Sequence, residues 1–482
     1  MSRFKLSLVT LAALASLGSG AQAQSNDEVL KELRALRDRV TELERKLKDA
    51  EAKSAKPAEA QWGMTPQQVQ DFNRIAVKTE ALEDAIESQG LKMLKISGYA
   101  DPTYLYNQRQ RRGGFQFLNP VDSDGYNYDN SYFGSASLDF QKEMEGGTRW
   151  RLTLVPNRGT GAVIGDASVV HEASVSVPLG DLQTRFIAGQ VPDWSGYEYL
   201  QPTLNKLITH NLLFDFTLPT AYTGAGMEIT RGKWIYKWML GNMNASKRNA
   251  NERTPAFAYR VDYSRGEFQG FGFAGVHGKA ANFSENAGHI EQTVNEETGE
   301  VVDVLVNDAT AQRDSRVDLF EFDAYFIRGD LTVQGQLSYG RQRFASITPR
   351  ADGSLRDSRW VGASGLIAYK FIPRWEVISR LDYLRNNKNG GGLLGYTAAD
   401  DRNGFGPDAT LGCAADNIVD GCDKGANRVA LSVGLSYLFN LNTVLKAEYR
   451  VDRANLPVFL DVRTGEYRKS NAVFGTSVVV SF

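Results

Sequence analysis

Cysteine is nearly missing from this chain: two in 482 residues, too few for a disulfide-built scaffold or a four-cysteine zinc site. Histidine is almost as scarce. His171, His210, His277 and His289 are the whole set, and no Gly-x-Ser-x-Gly elbow accompanies them, which leaves an outer-membrane lipase or protease without its usual machinery. Net charge is lacking too. The 55 basic and 57 acidic residues give −2, without the basic stripe that neutralises phosphates, so nucleic acid is excluded as a partner. No apolar run reaches the roughly 18 to 20 residues of a membrane-crossing helix, and a bundle of such helices is excluded with it. Aromatic residues are plentiful, with 24 Phe and 20 Tyr, a profile that suits strands better than a polar catalytic cleft.

The first residues carry an address. Arg3 and Lys5 precede an apolar run, Leu6 to Leu17, and Ala21-Gln22-Ala23 supplies a small-x-small cleavage site; together they predict a signal peptide over 1–23 and an exported protein. Over 24–53, Val29, Leu36, Leu43 and Ala50 fall seven apart, interleaved with Leu33, Val40 and Leu47. That spacing predicts a short coiled coil, marginal at about three heptads unless an oligomer formed elsewhere supports it. Residues 54–64 read as a linker around Pro57. Thr65 as N-cap and Pro66 at the first helical position open a second helix over 65–91, with Val69, Phe72, Ala76 and Ile86 near one face and Gly90 placed to end it.

From Leu94 to the last residue the period is two. Val429, Leu431, Val433, Leu435, Tyr437 and Phe439 alternate with small or polar neighbours, as do Ala472, Phe474, Thr476, Val478, Val480 and Phe482. Sixteen strands are expected, at 94–107, 131–142, 147–156, 168–178, 182–191, 222–231, 233–243, 255–265, 267–277, 316–328, 331–343, 359–371, 374–386, 427–439, 443–454 and 470–482. Their links alternate between seven tight turns and eight longer loops. Alternation alone fits a soluble sandwich as well; the link asymmetry is that of an outer-membrane barrel with both ends periplasmic. The chain ends on Phe482, flush with the last strand, where a terminal aromatic resembles the insertion signal of such barrels. The expected fold is therefore all-β: a 16-stranded antiparallel transmembrane β-barrel over 92–482, with an N-terminal helical and coiled-coil extension in the periplasm.

Several strings carry a resemblance. Phe72-Asn73-Arg74-Ile75-Ala76-Val77-Lys78, Lys95-Ile96-Ser97-Gly98-Tyr99, Leu207-Ile208-Thr209-His210-Asn211-Leu212-Leu213-Phe214-Asp215-Phe216 and Leu460-Asp461-Val462 are similar to an uncharacterised proteobacterial family of porin-like outer-membrane proteins. The family is known as a domain of unknown function, loosely similar to OmpL-like β-barrel porins. The resemblance implies fold and location, and neither substrate nor catalytic residues.

A sixteen-stranded barrel is too wide for its own side chains to fill, so an aqueous lumen is expected. The face opposite the apolar one places Arg149, Arg151, Arg185, Lys237, Arg260, Arg380, Lys446 and Arg450 inward. The same rule places Glu172, Glu228, Asp262, Glu321, Asp323, Asp382, Glu448 and Asp452 there. Eight against eight predicts no net ion preference, and the neighbours Arg260 and Asp262, Arg380 and Asp382, Arg450 and Asp452 serve equally well as wall-stiffening ion pairs or as a transverse field. The third external loop, 192–221, is unusually apolar for a segment facing water, with Trp194, Tyr197, Tyr199, Leu200, Leu204 and Leu207 followed by Ile208, Leu212, Leu213, Phe214 and Phe216. It is expected to fold into the lumen, with Asp193, Glu198, Lys206, His210 and Asp215 at the constriction; plugging the barrel, packing on a trimer neighbour and stacking sugars or aromatic solutes are its other readings.

Other patterns weigh less. Gly270-x-Gly272-x-x-Gly275 lies within a strand with no helix after it, so it is not a dinucleotide site. Arg328-Gly329-Asp330 reads as a tight turn. Asp122, Asp124 and Asp129, and the group Asp400, Asp401, Asp408, Asp416, Asp420 and Asp423, lack the spacing of a calcium loop and read as solvated external loops. Cys413 and Cys422 share one external loop, where an oxidising compartment favours their disulfide. No cofactor and no metal is called for. The expectation is a porin passing small hydrophilic solutes, with a non-conducting tether or plugged structural barrel as the alternative. Its expected partners are the lipid bilayer with its lipopolysaccharide, the barrel-assembly machinery, two further copies in a homotrimer, and peptidoglycan or a periplasmic protein reached by the coiled coil.

Overall fold

The structure is a computed structural model and describes residues 34, 37–46, 48–49, 66–88, 92–118, 133–156, 169–243, 255–280, 289–295, 299–306, 315–346, 356–386, 405–413, 417 and 419–482. It divides into two compact units, 1–92 and 93–482. In the first, residues 37–46 are helical and α1 spans Pro66–Ser88; Pro66 suits that opening because a first-turn N–H has no partner to lose. Val40, Phe72 and Ile75 are exposed. Five of the seven expected seam positions (Val29, Leu33, Leu36, Leu47 and Ala50) lie outside the described residues, as do the signal peptide, the linker, Thr65 and Gly90.

The second unit is a closed antiparallel barrel of sixteen strands. β1 is interrupted, Leu94–Ala100 continued by Thr103–Asn107. The next seven are β2 (Ala136–Glu143), β3 (Arg149–Leu154), β4 (Val170–Leu179), β5 (Asp181–Pro192), β6 (Ala221–Arg231), β7 (Trp234–Met243) and β8 (Ala256–Ser264). The second half holds β9 (Gln269–Ala280), β10 (Ser315–Arg328), β11 (Leu331–Gln342), β12 (Ser358–Ile372), β13 (Trp375–Asn386), β14 (Arg428–Asn440), β15 (Thr443–Ala454) and β16 (Ser470–Ser481). Each strand pairs with its sequence neighbours, and β16 closes on β1 through Tyr99 opposite Ser481 and Thr103 opposite Ser477. At that seam Phe482 exchanges backbone hydrogen bonds with Gly98, 3.0 and 3.1 Å, and its ring lies where a Cβ on residue 98 would be.

The two-residue period produces this wall directly. Along β13, Glu376, Ile378, Arg380, Asp382 and Leu384 are buried inward while Val377, Leu381 and Tyr383 are exposed outward. The same exposed apolar face continues through Leu337, Val361, Ile367, Leu431, Val433 and Phe474. A broad apolar belt of this kind is what hydrocarbon, not water, covers. Aromatics gather on it near the tight turns, with Trp234 against Tyr263 at 4.8 Å and Trp375 against Tyr437 at 4.6 Å, as in an interfacial girdle. The turns themselves are minimal: Gly232-Lys233 joins β6 to β7 with Gly232 at φ 60°, a left-handed conformation in which a side chain is strained.

Three features depart from the expected strand pattern. Asp101-Pro102 breaks β1, because Pro102 has no N–H for the ladder and the Asp101 carboxylate accepts from Thr103 and Ser477. Beyond the break, Thr103–Asn107 pairs with Arg112–Gln116 of its own hairpin, and β2 begins at Ala136, not 131. Two more hairpins rise inside long links, His289–Val294 with Val301–Val306 and Phe459–Asp461 with Glu466–Arg468.

Candidate functional site

After β5 the chain turns into the barrel. The Asp193 carboxylate accepts from Ser195 N and Oγ, each at 3.0 Å, and from the Tyr222 hydroxyl, which fixes the entry angle of the loop. Burial pushes the Asp193 carboxyl up to about 6, against the pull of those donors. On the way out, Asn211 caps the short helix α2 (Leu212–Thr217), its side chain accepting from Leu213 N at 2.9 Å and Phe214 N at 2.8 Å. Leu212, Leu213 and Phe216 are fully buried in one cluster with Met239, Val317, Leu319, Trp360 and Leu384. The loop is apolar because it packs on the inner wall, and not because it crosses water.

A loop without regular pairing needs other partners for its backbone groups, and charged side chains of the wall provide them. Arg380 on β13 donates to Glu198 Oε1 at 2.8 Å, the Thr209 carbonyl at 2.6 Å, Thr209 Oγ1 at 3.0 Å and the His210 carbonyl at 2.8 Å. Arg450 on β15 reaches the same His210 carbonyl at 2.6 Å. Glu448 accepts from Ile208 N, Thr209 N and Thr209 Oγ1 at 2.8, 2.7 and 2.6 Å. Lys446 donates to the carbonyls of Pro202 and Asn205 at 2.6 and 2.7 Å, and Lys206 pairs with Glu376 at 2.8 Å. His210 is buried and donates Nε2–H to the Tyr199 carbonyl at 3.0 Å. Burial, against that bond and with help from nearby cations, pulls its pKa down to about 3, so the ring is neutral at pH 7. Burial pushes Glu198 up to about 7, although Arg380 and the Asn211 N–H at 2.6 Å oppose it.

Behind this row, Asp382 accepts from Ser364 and Arg380, and Asp452 holds both Arg428 and Arg450. The Arg428 guanidinium also lies over Phe216, Phe405 and Phe459 at 5.5, 5.1 and 5.3 Å, a cation–π contact that ties the loop to two other long links. One of these contains the Cys413–Cys422 disulfide.

The opposite side of the loop borders a cavity of about 770 Å3, which lies between the loop and the wall from β2 to β8. Ion pairs ladder that wall: Arg149–Glu143 at 3.2 Å, Arg151–Asp139 at 2.9 Å, Arg151–Glu172 at 3.3 Å and Lys237–Glu228 at 3.0 Å. Arg260 joins Asp262 and Asp323, each at 2.8 Å. It reaches Asp323 two strands away only because Gly272 lies between; a Cβ there would be 2.3 Å from the guanidinium.

The residues expected at the constriction are divided by this arrangement. Glu198, His210 and Asp215 are buried in the loop's own packing, while Asp193 is half-buried and Lys206 is half-buried beside Glu376; Asp193, Glu198 and Asp215 also border the cavity. Of the expected lumen residues, Arg149, Arg151, Glu172, Glu228, Lys237, Arg260 and Asp262 border the cavity. Arg380, Asp382, Lys446, Glu448, Arg450 and Asp452 lie buried on the loop's side of the lumen. Glu321 accepts from Gln336 at 3.0 Å, Asp323 pairs with Arg260, and Arg185 donates to the Gly147 carbonyl at 2.6 Å near a tight turn. Glu376, Thr209, Asn211 and Arg428 went unnoticed in the sequence. Glu376 follows from the same alternation as Arg380, and Arg428 from the alternation that begins at Val429; Asn211 before an apolar run is an N-cap signal, and Thr209 carries none. Of the acidic loop residues, Asp122, Asp124, Asp129, Asp400, Asp401 and Asp416 lie outside the described residues, and Asp408 caps Thr410 N at 2.9 Å.

The barrel is similar to an anion-selective porin from Comamonas acidovorans, at 9% identity and a TM-score of 0.49, covering 81% of this chain and 99% of that one. It is similar also to the trimer form of OmpT from Vibrio cholerae, at 10% identity, a TM-score of 0.48 and coverage of 81% and 99%. A third is OmpF of Salmonella typhi in complex with daunomycin, at 12% identity, a TM-score of 0.47 and coverage of 81% and 97%. No curated protein matches the sequence. The model of the family described as Protein of unknown function (DUF3138) matches residues 51–482, most of the chain, and the protein belongs to that family.

Proposed function

We propose that this protein is an outer-membrane porin whose passage runs between the loop 192–221 and the wall from β2 to β8, admitting small hydrophilic solutes by diffusion. The observation that carries the reading is the division of the lumen: the loop fills one side and leaves about 770 Å3 on the other, lined by charges of both signs. The lipid-facing belt supports an outer-membrane location, and the apolar side of the loop is spent on packing, which leaves the ion-pair ladder to face solute. The loop edge that carries Asp193 and the exposed Tyr199 borders the cavity together with Arg151, Glu172 and Lys237 of the wall, and forms the constriction in this reading. Assembly as a homotrimer, with the N-terminal helices in the periplasm, completes it.

The test is solute uptake by liposomes holding the detergent-folded protein. Uptake of small sugars and amino acids at rates falling with solute size supports the porin; liposomes as tight as protein-free ones overturn it. That second result is the expectation of a plugged structural barrel, which is favoured by the number of buried contacts fixing the loop. For the helices, deletion of 24–90 leaves an inserted barrel with weaker oligomerisation, and an unchanged trimer would contradict that role.

A further inference from the structure

The two faces of the cavity differ in chemistry. On the loop side, Tyr199 and Leu204 expose 50% and 58% of their surface, and Trp194, Leu200 and Phe214 border the same space. Large apolar side chains facing water inside a lumen cost free energy, and ring contact with a passing solute recovers it. On the wall side the ion pairs are uneven in what they present. The Arg151 side chain is 38% exposed while its partners Asp139 and Glu172 are only 10% and 9% exposed; Arg149 is 56% exposed against 38% for Glu143. Along β3 the carboxylates sit back and the guanidinium groups project, whereas at β8 Asp262 is the more exposed partner, 27% against 12% for Arg260. Lys95, opposite Gln141 on the inward face, borders the same cavity. The formal charges balance, but the surface a solute meets along β3 is cationic, and guanidinium forks suit a carboxylate geometrically.

We propose that the favoured solutes of this passage are small carboxylates bearing an apolar or aromatic ring, the carboxylate running along Arg149 and Arg151 while the ring slides over Tyr199 and Leu204. The inference rests on the porin reading and narrows it to a solute class. It concerns transit and weak binding; no covalent step is involved.

The test is ion current through single channels in planar bilayers in potassium chloride, with benzoate, acetate, benzylamine or benzyl alcohol added to one side. Benzoate is expected to interrupt the current at concentrations at least about tenfold below those at which acetate or benzylamine does so, and benzyl alcohol is expected to have little effect. Arg151→Lys, which keeps the charge and loses the fork, and Tyr199→Asn, which loses the ring, are each expected to raise the blocking concentration of benzoate several-fold. Equal block by benzoate and acetate removes the ring from the account, and equal block by benzoate and benzylamine removes the anion site; either overturns the inference while leaving the porin standing. Absence of any current overturns the porin reading itself, and this inference with it.

Discussion

Replacing Arg380 by methionine removes one side chain that makes four hydrogen bonds to the loop and an ion pair with Asp382. The methionine approximates the stem but leaves the Glu198 and Asp382 carboxylates buried without their cation. Breaking a buried pair by deleting one partner costs roughly 3 to 5 kcal/mol. Most of that cost falls on the loop, because β13 retains its ladder with β12 and β14. At about 1.4 kcal/mol per tenfold, local opening of the loop rises by roughly two to three orders of magnitude. Hydrogen exchange reads this directly, since Thr209 N and Asn211 N donate to Glu448 and Glu198 in the closed loop. Peptides covering 204–217 are expected to exchange about a hundredfold faster in Arg380→Met, with peptides from β14 unchanged. Arg380→Lys keeps the charge, loses the fork and falls between. Exchange over 204–217 within about threefold of the parent protein would refute the claim that wall charges hold the loop.

Acid is expected to act through three loop groups, His210 in one direction and Glu198 with Asp193 in the other. His210 is depressed to about 3, so its stabilising contribution is whole above its ordinary value of about 6.5 and drains away as pH falls towards 3, at roughly 1 kcal/mol for each pH unit. Glu198 is raised to about 7, so its contribution is whole below its ordinary value of about 4.5 and is lost as pH rises through 7. Asp193, raised to about 6, acts with Glu198, so the two acids offset His210 down to about pH 4 and thermal midpoints fall steeply only below that; a His210→Gln variant with the same acid slope would contradict the assignment. Gly434→Val places atoms against Leu207, which lies 2.3 Å from where a Cβ would be, and is expected to cost about 1 to 3 kcal/mol by overpacking, seen as a lower midpoint and a looser loop. Arg428→Gln is expected to loosen the 405–427 and 455–468 links together, read as new protease cuts in both, because one guanidinium contacts Phe405 and Phe459.

The barrel was legible because its physics is one-dimensional. Val429 to Phe439 alternates, Gly232 and Gly329 mark turns, and a closed wall repeats the first signal over sixteen strands and the second at its tight turns. The break at Asp101-Pro102 was legible in principle from the proline. The hairpins at 289–306 and 459–468 were not, since short strands in long links carry little pattern. For the lumen, the period places Arg380 and Arg151 on the same inward face and cannot say that one is covered by a loop while the other borders open space. That distinction is set by contacts some 170 residues apart in sequence, such as Arg380 with His210. The apolar content of 192–221 hinted at burial, but Thr209, whose backbone and hydroxyl both meet the wall, looked like any other polar residue.

The central claim, that solute passes on the β2–β8 side of the loop and not beneath it, is tested most directly by single-channel current before and after a thiol-directed reagent. Glu228→Cys places the thiol on the cavity wall, and Ser432→Cys places it on the buried β14 face. Stepwise current is expected in both, with block of the Glu228→Cys channel and no effect on Ser432→Cys. Current blocked through Ser432→Cys and untouched in Glu228→Cys would put the passage on the wrong side of the loop and contradict the account.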